Sequence, residues 1–265
     1  MRSSPRNLWV RRHLIWALTL SNLKRQNKSS ALGYLWWLLD PLLMTGVYYL
    51  VVGVLFHRGN PPEQPYLLFL LCGLISWKAF SDSVGQSVLA IRAQAAIVKA
   101  ISFPKAVLPL AVVLSNTAYF LIAILVAVGL AVYYGPEHGT WPNLYYLMLP
   151  GVVLLQVLVT AGLSLLVAAL GVLYQDTGNI TGHVLRMWYF LSPGLYSLSM
   201  VPERARPIFR LNPFAELMTA YRDILIHGRC PAWEDLGLAA ALGLASLLAG
   251  FLVFRRLEGR LVQRL

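Results

Sequence analysis

Lys78 and Asp82 stand four residues apart inside a run that is otherwise apolar from Tyr66 to Ile91, and Asp40 interrupts a second such run from Leu35 to Phe56. An ionised side chain at bilayer depth is costly and marks either a functional site or a charge partner. The i, i+4 spacing lets Lys78 and Asp82 neutralise each other on one helix, which accounts for most of that signal without a proton relay. Asp40 precedes Pro41 and marks a break in its run. Reactive patterns are missing elsewhere. No Gly-Lys pair occurs, so the chain holds no Walker A loop for ATP phosphates. No His-Glu-x-x-His and no Gly-x-Ser-x-Gly occurs, and Cys72 and Cys230 make no metal or disulfide framework. His13, His57, His138, His183 and His227 are scattered at segment ends. The expectation is a chain without catalytic residues, metal or cofactor of its own.

Three other groups could bind. Lys24, Arg25 and Lys28 cluster just before Trp36 and Trp37. Fixed positive charge beside an aromatic belt suits an anionic lipid headgroup, and it suits topology and ordinary anionic lipids equally. The segment from Arg92 to Lys105 reads as a short helix ended by Pro104, with Ile97, Val98, Ile101 and Phe103 apolar outside any span. Such a patch either docks a partner or packs on the ends of the spans. Aromatics are numerous, with 8 Trp, 13 Tyr and 10 Phe. Tyr48, Tyr49, Phe69, Trp77, Phe80, Tyr189 and Tyr196 lie deep in their segments, where they serve helix packing or a passage on which sugar rings stack.

The elements that must position these groups are membrane spans. Of the 265 residues 58% are hydrophobic and 12% charged, and the mean hydropathy is +0.62. A soluble domain carries about 25% charged residues, so a soluble enzyme is excluded, and disorder is excluded by the same apolarity. Six segments approach the roughly 20 apolar residues that cross a bilayer: Leu35 to Phe56, Tyr66 to Ile91, Ala106 to Tyr134, Leu147 to Leu173, Val184 to Val201 and Leu236 to Phe254. None alternates in polarity as barrel strands do. The fold class is therefore all-α and polytopic. In the last segment Gly237, Ala241, Ala245 and Ala249 form a small-residue row, expected to pack closely within the subunit.

The net charge of +11 reads first as topology, since no basic domain exists for nucleic acid. With the N-terminus inside, the inner pieces hold 15 Lys and Arg and the outer pieces 6, which puts both termini in the cytoplasm. Met1 to Lys28 is no signal peptide, because its longest apolar stretch, Leu14 to Leu20, is short and runs into Lys24, Arg25 and Lys28. Residues 6–27 read as an interfacial helix with Trp9, Trp16, Leu20 and Leu23 as its apolar stripe, although Leu14 and Leu18 fall on the charged side. Pro193-Gly194 breaks the fifth span and turns it back early. Asn212-Pro213 then starts a short helix with Phe214, Leu217, Met218, Tyr221 and Leu225 on one face, and Glu216, Thr219 and Asp223 on the other. It lies on the outer surface or re-enters the membrane. The expected division is 1–34 interfacial helix, 35–256 six-span domain and 257–265 cytoplasmic tail.

The run from Leu32 to Leu42, Leu-Gly-Tyr-Leu-Trp-Trp-Leu-Leu-Asp-Pro-Leu, follows a basic helix and resembles the start of ABC-2-type polysaccharide export permeases. The resemblance continues through Phe103-Pro104-Lys105, Tyr174-Gln175-Asp176, Leu191-Ser192-Pro193 with Tyr196, and Leu211-Asn212-Pro213, in order over essentially the whole chain. The Tyr-Gln-Asp loop is more like the O-antigen and teichoic-acid branch than the capsule branch. This resemblance implies a homodimer in the bacterial cytoplasmic (inner) membrane, with ATP and Mg on two separate ATP-binding cassette subunits. It implies an undecaprenyl-diphosphate-linked glycan as cargo. It assigns Ile97, Val98, Ile101, Phe103 and Pro104 to ATPase coupling, and makes the deep aromatics a channel lining. Lys24, Arg25 and Lys28 are then candidates for receiving the lipid diphosphate. Competing readings are an ABC-2 permease for a drug or a lipid, a membrane enzyme acting on a polyprenyl lipid, and an ion-coupled transporter. The enzyme would need clustered acids or histidines at one interface, and the ion-coupled transporter would need inverted repeats.

Overall fold

A computed structural model describes residues 5–27, 33–55 and 64–264. Among them all regular structure is helical. Two short helices, α1 (Pro5–Val10) and α2 (Arg12–Asn27), precede α3 (Trp36–Tyr48), which slackens into a π-helical stretch over Tyr49–Leu55. Then come α4 (Tyr66–Ala90), the short α5 (Ala95–Ala100), α6 (Val107–His138), α7 (Leu149–Leu173), α8 (Thr177–Phe190), α9 (Arg206–Arg210), α10 (Pro213–Leu225) and α11 (Trp233–Arg264). Four helices are long and apolar enough to cross a membrane: α4, α6, α7 with the turn before it, and α11. At about 1.5 Å per residue each exceeds the roughly 30 Å hydrocarbon core. The chain also passes along the bundle through α3 with its π stretch and through α8. The expected fifth span is thus a 14-residue helix that stops at Phe190, just before Pro193-Gly194.

The bundle has two ends. Ile91, Val98, Phe103, Leu165, Phe254 and Leu261 pack together at one, where Arg92, Lys99, Lys105, Arg255, Arg256 and Arg260 also gather. Leu68, Leu149, Leu217, Tyr221 and Ile224 pack toward the other. Helix α2 lies against the basic end, and the Ser115 hydroxyl donates to the Thr19 carbonyl at 3.3 Å. Leu14, Ile15 and Leu18 face the bundle, whereas Trp9, Trp16 and Leu20 are exposed. A helix wedged between bilayer and bundle needs two apolar faces. That is why Leu14 and Leu18 broke the expected stripe.

The small-residue row of α11 is a correction. Gly237, Ala241, Ala245 and Ala249 are exposed. The face that packs on α7 carries Ala239, Gly243, Ser246 and Gly250 instead. A Cβ on Gly250 would collide with the Gly162 carbonyl, and one on Gly162 with the backbone at Ser246. Both rows have helical spacing, so only the partner's shape decides which is buried.

Helix α10 does not lie on the surface. Asn212 caps it by accepting from the Phe214 amide at 3.0 Å, and its amide nitrogen donates to the Ser192 hydroxyl at 2.8 Å. Phe214 packs 4.2 Å from Phe80, past the midpoint of α4. The helix is therefore inserted among α4, α7 and α11, as the re-entrant alternative expected, and Glu216 and Asp223 of its polar face are buried with the apolar residues.

Candidate functional site

The charges at bilayer depth form one cluster. Lys78 Nζ lies 2.7 Å from Asp40 and 3.0 Å from Asp82. The second distance follows from the helical spacing. The first depends on α3 packing against α4, which the spacing could not reveal. In α3, Pro41 is buried beside Asp40, and the Thr45 hydroxyl donates to the Pro41 carbonyl at 2.6 Å, which fixes this stretch.

Two clefts meet at the cluster. One, of about 270 Å³ between α3, α4 and α6, includes Trp36, Gln86 and Asn116 in its wall. The other, of about 520 Å³, is walled by Tyr48, Trp77, Arg186, Tyr189 and Phe190. Both share Asp40, Lys78 and Asp82. On the larger cleft the ring centres of Trp77 and Tyr189 lie 5.6 Å apart, and those of Tyr48 and Tyr189 6.4 Å. Of the seven aromatics singled out as a lining, Tyr48, Trp77 and Tyr189 are thus together. Phe80 is core, packed on Phe214, and Phe69 is buried under Arg222. Tyr49 stacks near Tyr66, and Tyr196 pairs with Phe209.

Arg222 was counted in the sequence only as a loop charge. It is buried, its guanidinium lies 3.5 Å from the Phe69 ring centre, and it donates to the carbonyls of Phe69, Pro193 and Gly194 at 3.4, 2.6 and 2.8 Å. The neighbouring Asp223 is taken by Arg229 at 2.7 Å. Gly73 makes this possible, because a Cβ there would stand 2.8 Å from the Gly194 carbonyl. Three carbonyls and a ring face stand in for a counter-ion.

At the basic end the apolar segment divides. Val98, Phe103 and Pro104 are buried in the bundle, while Ile97 and Ile101 are exposed on and just after α5. Lys24 and Arg25 are exposed on α2, and Arg25 flanks a cleft of about 310 Å³ with Asn22, Gln86, Gln94 and Ser115. Lys28 lies outside the described residues.

Four apolar helices long enough to span, with a charged cleft among the helices, make this a polytopic membrane protein. The chain belongs to the ABC-2 type transporter family, whose pattern it matches over residues 13–226. It is 35% identical to the O-antigen export system permease protein RfbA of Myxococcus xanthus, over 94% of each chain. It is 29% identical to the protein of the same name in Klebsiella pneumoniae, again over 94% of each. The polysialic acid transport protein KpsM of Escherichia coli is 23% identical over 94% of this chain and 95% of its own.

Proposed function

We propose that the chain is the permease subunit of an exporter of O-antigen-type polysaccharide carried on undecaprenyl diphosphate. It works as a homodimer in the cytoplasmic membrane, with both termini inside, and a separate pair of ATP-binding cassette chains hydrolyses ATP. The observation that carries this reading is the larger cleft, whose wall joins Tyr48, Trp77 and Tyr189 to partly exposed charges inside a span. Charges in that position avoid hydrocarbon only by facing protein or a hydrated passage. The full-length likeness to O-antigen permeases supports the cargo class. Ile97 and Ile101 touch the ATPase, and Val98, Phe103 and Pro104 hold them in place from inside the bundle. Lys24 and Arg25, with Lys28, receive the lipid diphosphate at the inner leaflet.

Deletion of the gene in its native host tests this. Surface polysaccharide should disappear, lipid-linked polymer should accumulate on the cytoplasmic side, and a plasmid copy should restore export. Undiminished surface polysaccharide in the deletion strain overturns the reading.

A further inference from the structure

We propose that Asp40, Lys78 and Asp82 form a seat that hydrogen-bonds the hydroxyl groups of a sugar ring and so helps to set which glycan is accepted. This rests on the reading of the chain as a glycolipid exporter, and adds the residues that would distinguish glycan from carrier.

The cluster is not fully explained as a structural clamp. Two carboxylates share one ammonium, so it keeps one net negative charge. Its side chains remain 39–49% exposed although Lys78 lies near the middle of α4. Hydrocarbon cannot cover such a group. Across the larger cleft stands Arg186, which donates to the Gly182 carbonyl at 3.2 Å and contacts His183. No ion pair joins it to either carboxylate among the described residues. The same cleft therefore carries both acceptors and a cation.

That arrangement selects a class of ligand. A sugar hydroxyl both donates and accepts, so a ring can bond to carboxylates on one side and to a guanidinium on the other. The apolar faces of the same ring need flat partners, and the same wall carries Tyr48, half-buried, and the largely covered rings of Trp77 and Tyr189. A volume of about 520 Å³ lies within the usual range of small-ligand sites. At the cluster itself, which keeps one net negative charge, a diphosphate is less favoured than a neutral sugar ring.

The test uses the full-length chain in lipid nanodiscs and two probes: undecaprenyl diphosphate carrying the host's oligosaccharide, and undecaprenyl diphosphate without sugar. Asp40→Asn and Asp82→Asn keep the shape and remove the charge. Each should weaken binding of the glycan-bearing lipid by roughly tenfold and leave the bare lipid unchanged, and Asp40→Glu should recover part of the loss. Unchanged binding of both lipids overturns the proposal. So does equal loss of both together with a lowered denaturation midpoint, which would make the cluster a clamp holding α3 on α4. A wild-type protein that exports polysaccharide yet binds the two lipids equally also overturns it, and leaves the exporter reading standing. Wild-type protein that binds neither lipid removes both.

Discussion

At Glu216 the carboxyl is buried beside Asp235. Burial and the nearby charge of Asp235 push its carboxyl up to about 7, against the opposing pull of Arg210. A carboxyl raised in the folded state stabilises the fold while protonated, and that contribution is lost as pH rises from its ordinary value through the folded one. The denaturation midpoint in detergent should therefore fall between about pH 5 and pH 8, by roughly 2–4 °C for each kcal/mol lost. Glu216→Gln cannot ionise and should flatten that fall, and identical pH profiles for the two proteins would refute this assignment. Arg222 gives a second expectation. Lysine cannot spread to three carbonyls and cover a ring as the planar fork does, so Arg222→Lys should cost on the order of 2 kcal/mol. Thermal denaturation measures it, and an unchanged midpoint would show that the carbonyl contacts contribute little. Neither residue was legible in the sequence. Spacing along a chain says nothing about which distant carbonyls or carboxylates will converge on a side chain.

Single helices carry their own tests. On α5 and the residues after it, Ile97 and Ile101 are exposed while Phe103 is core. Ile101→Asp should leave stability intact and abolish export, whereas Phe103→Ala should destabilise the bundle by roughly 3 kcal/mol. Export assays beside denaturation of the purified protein separate the two, and normal export by Ile101→Asp would remove the coupling role. Where α7 crosses α11, Gly162→Leu should prevent assembly of the bundle, because its Cβ alone already meets backbone at Ser246. Ala245→Leu, on the outward face, should be tolerated within the subunit, and size-exclusion profiles of both variants check this. Four of the six expected spans were legible because length and apolarity are local properties: Tyr66 to Ile91 became Tyr66–Ala90, and Leu147 to Leu173 became Leu149–Leu173. The buried side of α11 and the insertion of α10 were not, because both depend on a partner surface. The candidate site was half legible. The Lys78–Asp82 pair follows from spacing, but Asp40 joins it only through packing, and of the deep aromatics just Tyr48, Trp77 and Tyr189 share its larger cleft.

For the whole chain, the excess of Lys and Arg at one end of the bundle, 15 against 6, sets the expected orientation. His227 and Gln263 are both exposed and lie toward opposite ends. In intact cells and a Cys230→Ser background, an impermeant maleimide should label a cysteine placed at His227 and spare one at Gln263, while native Cys72, buried in α4, stays silent. Labelling at Gln263 without permeabilisation would invert the topology. The placement of α10 also has a consequence for how the protein is made. Its 13 residues include Glu216, Arg222 and Asp223, and they precede α11 in the chain. A segment so short and polar gains nothing by leaving the translocon for lipid on its own. It can settle only into a niche that α4, α7 and α11 have already formed, so the chain must finish synthesis before this helix finds its place. A nascent chain stopped ahead of Trp233 should keep α10 open to protease, and completion of the last helix should close it.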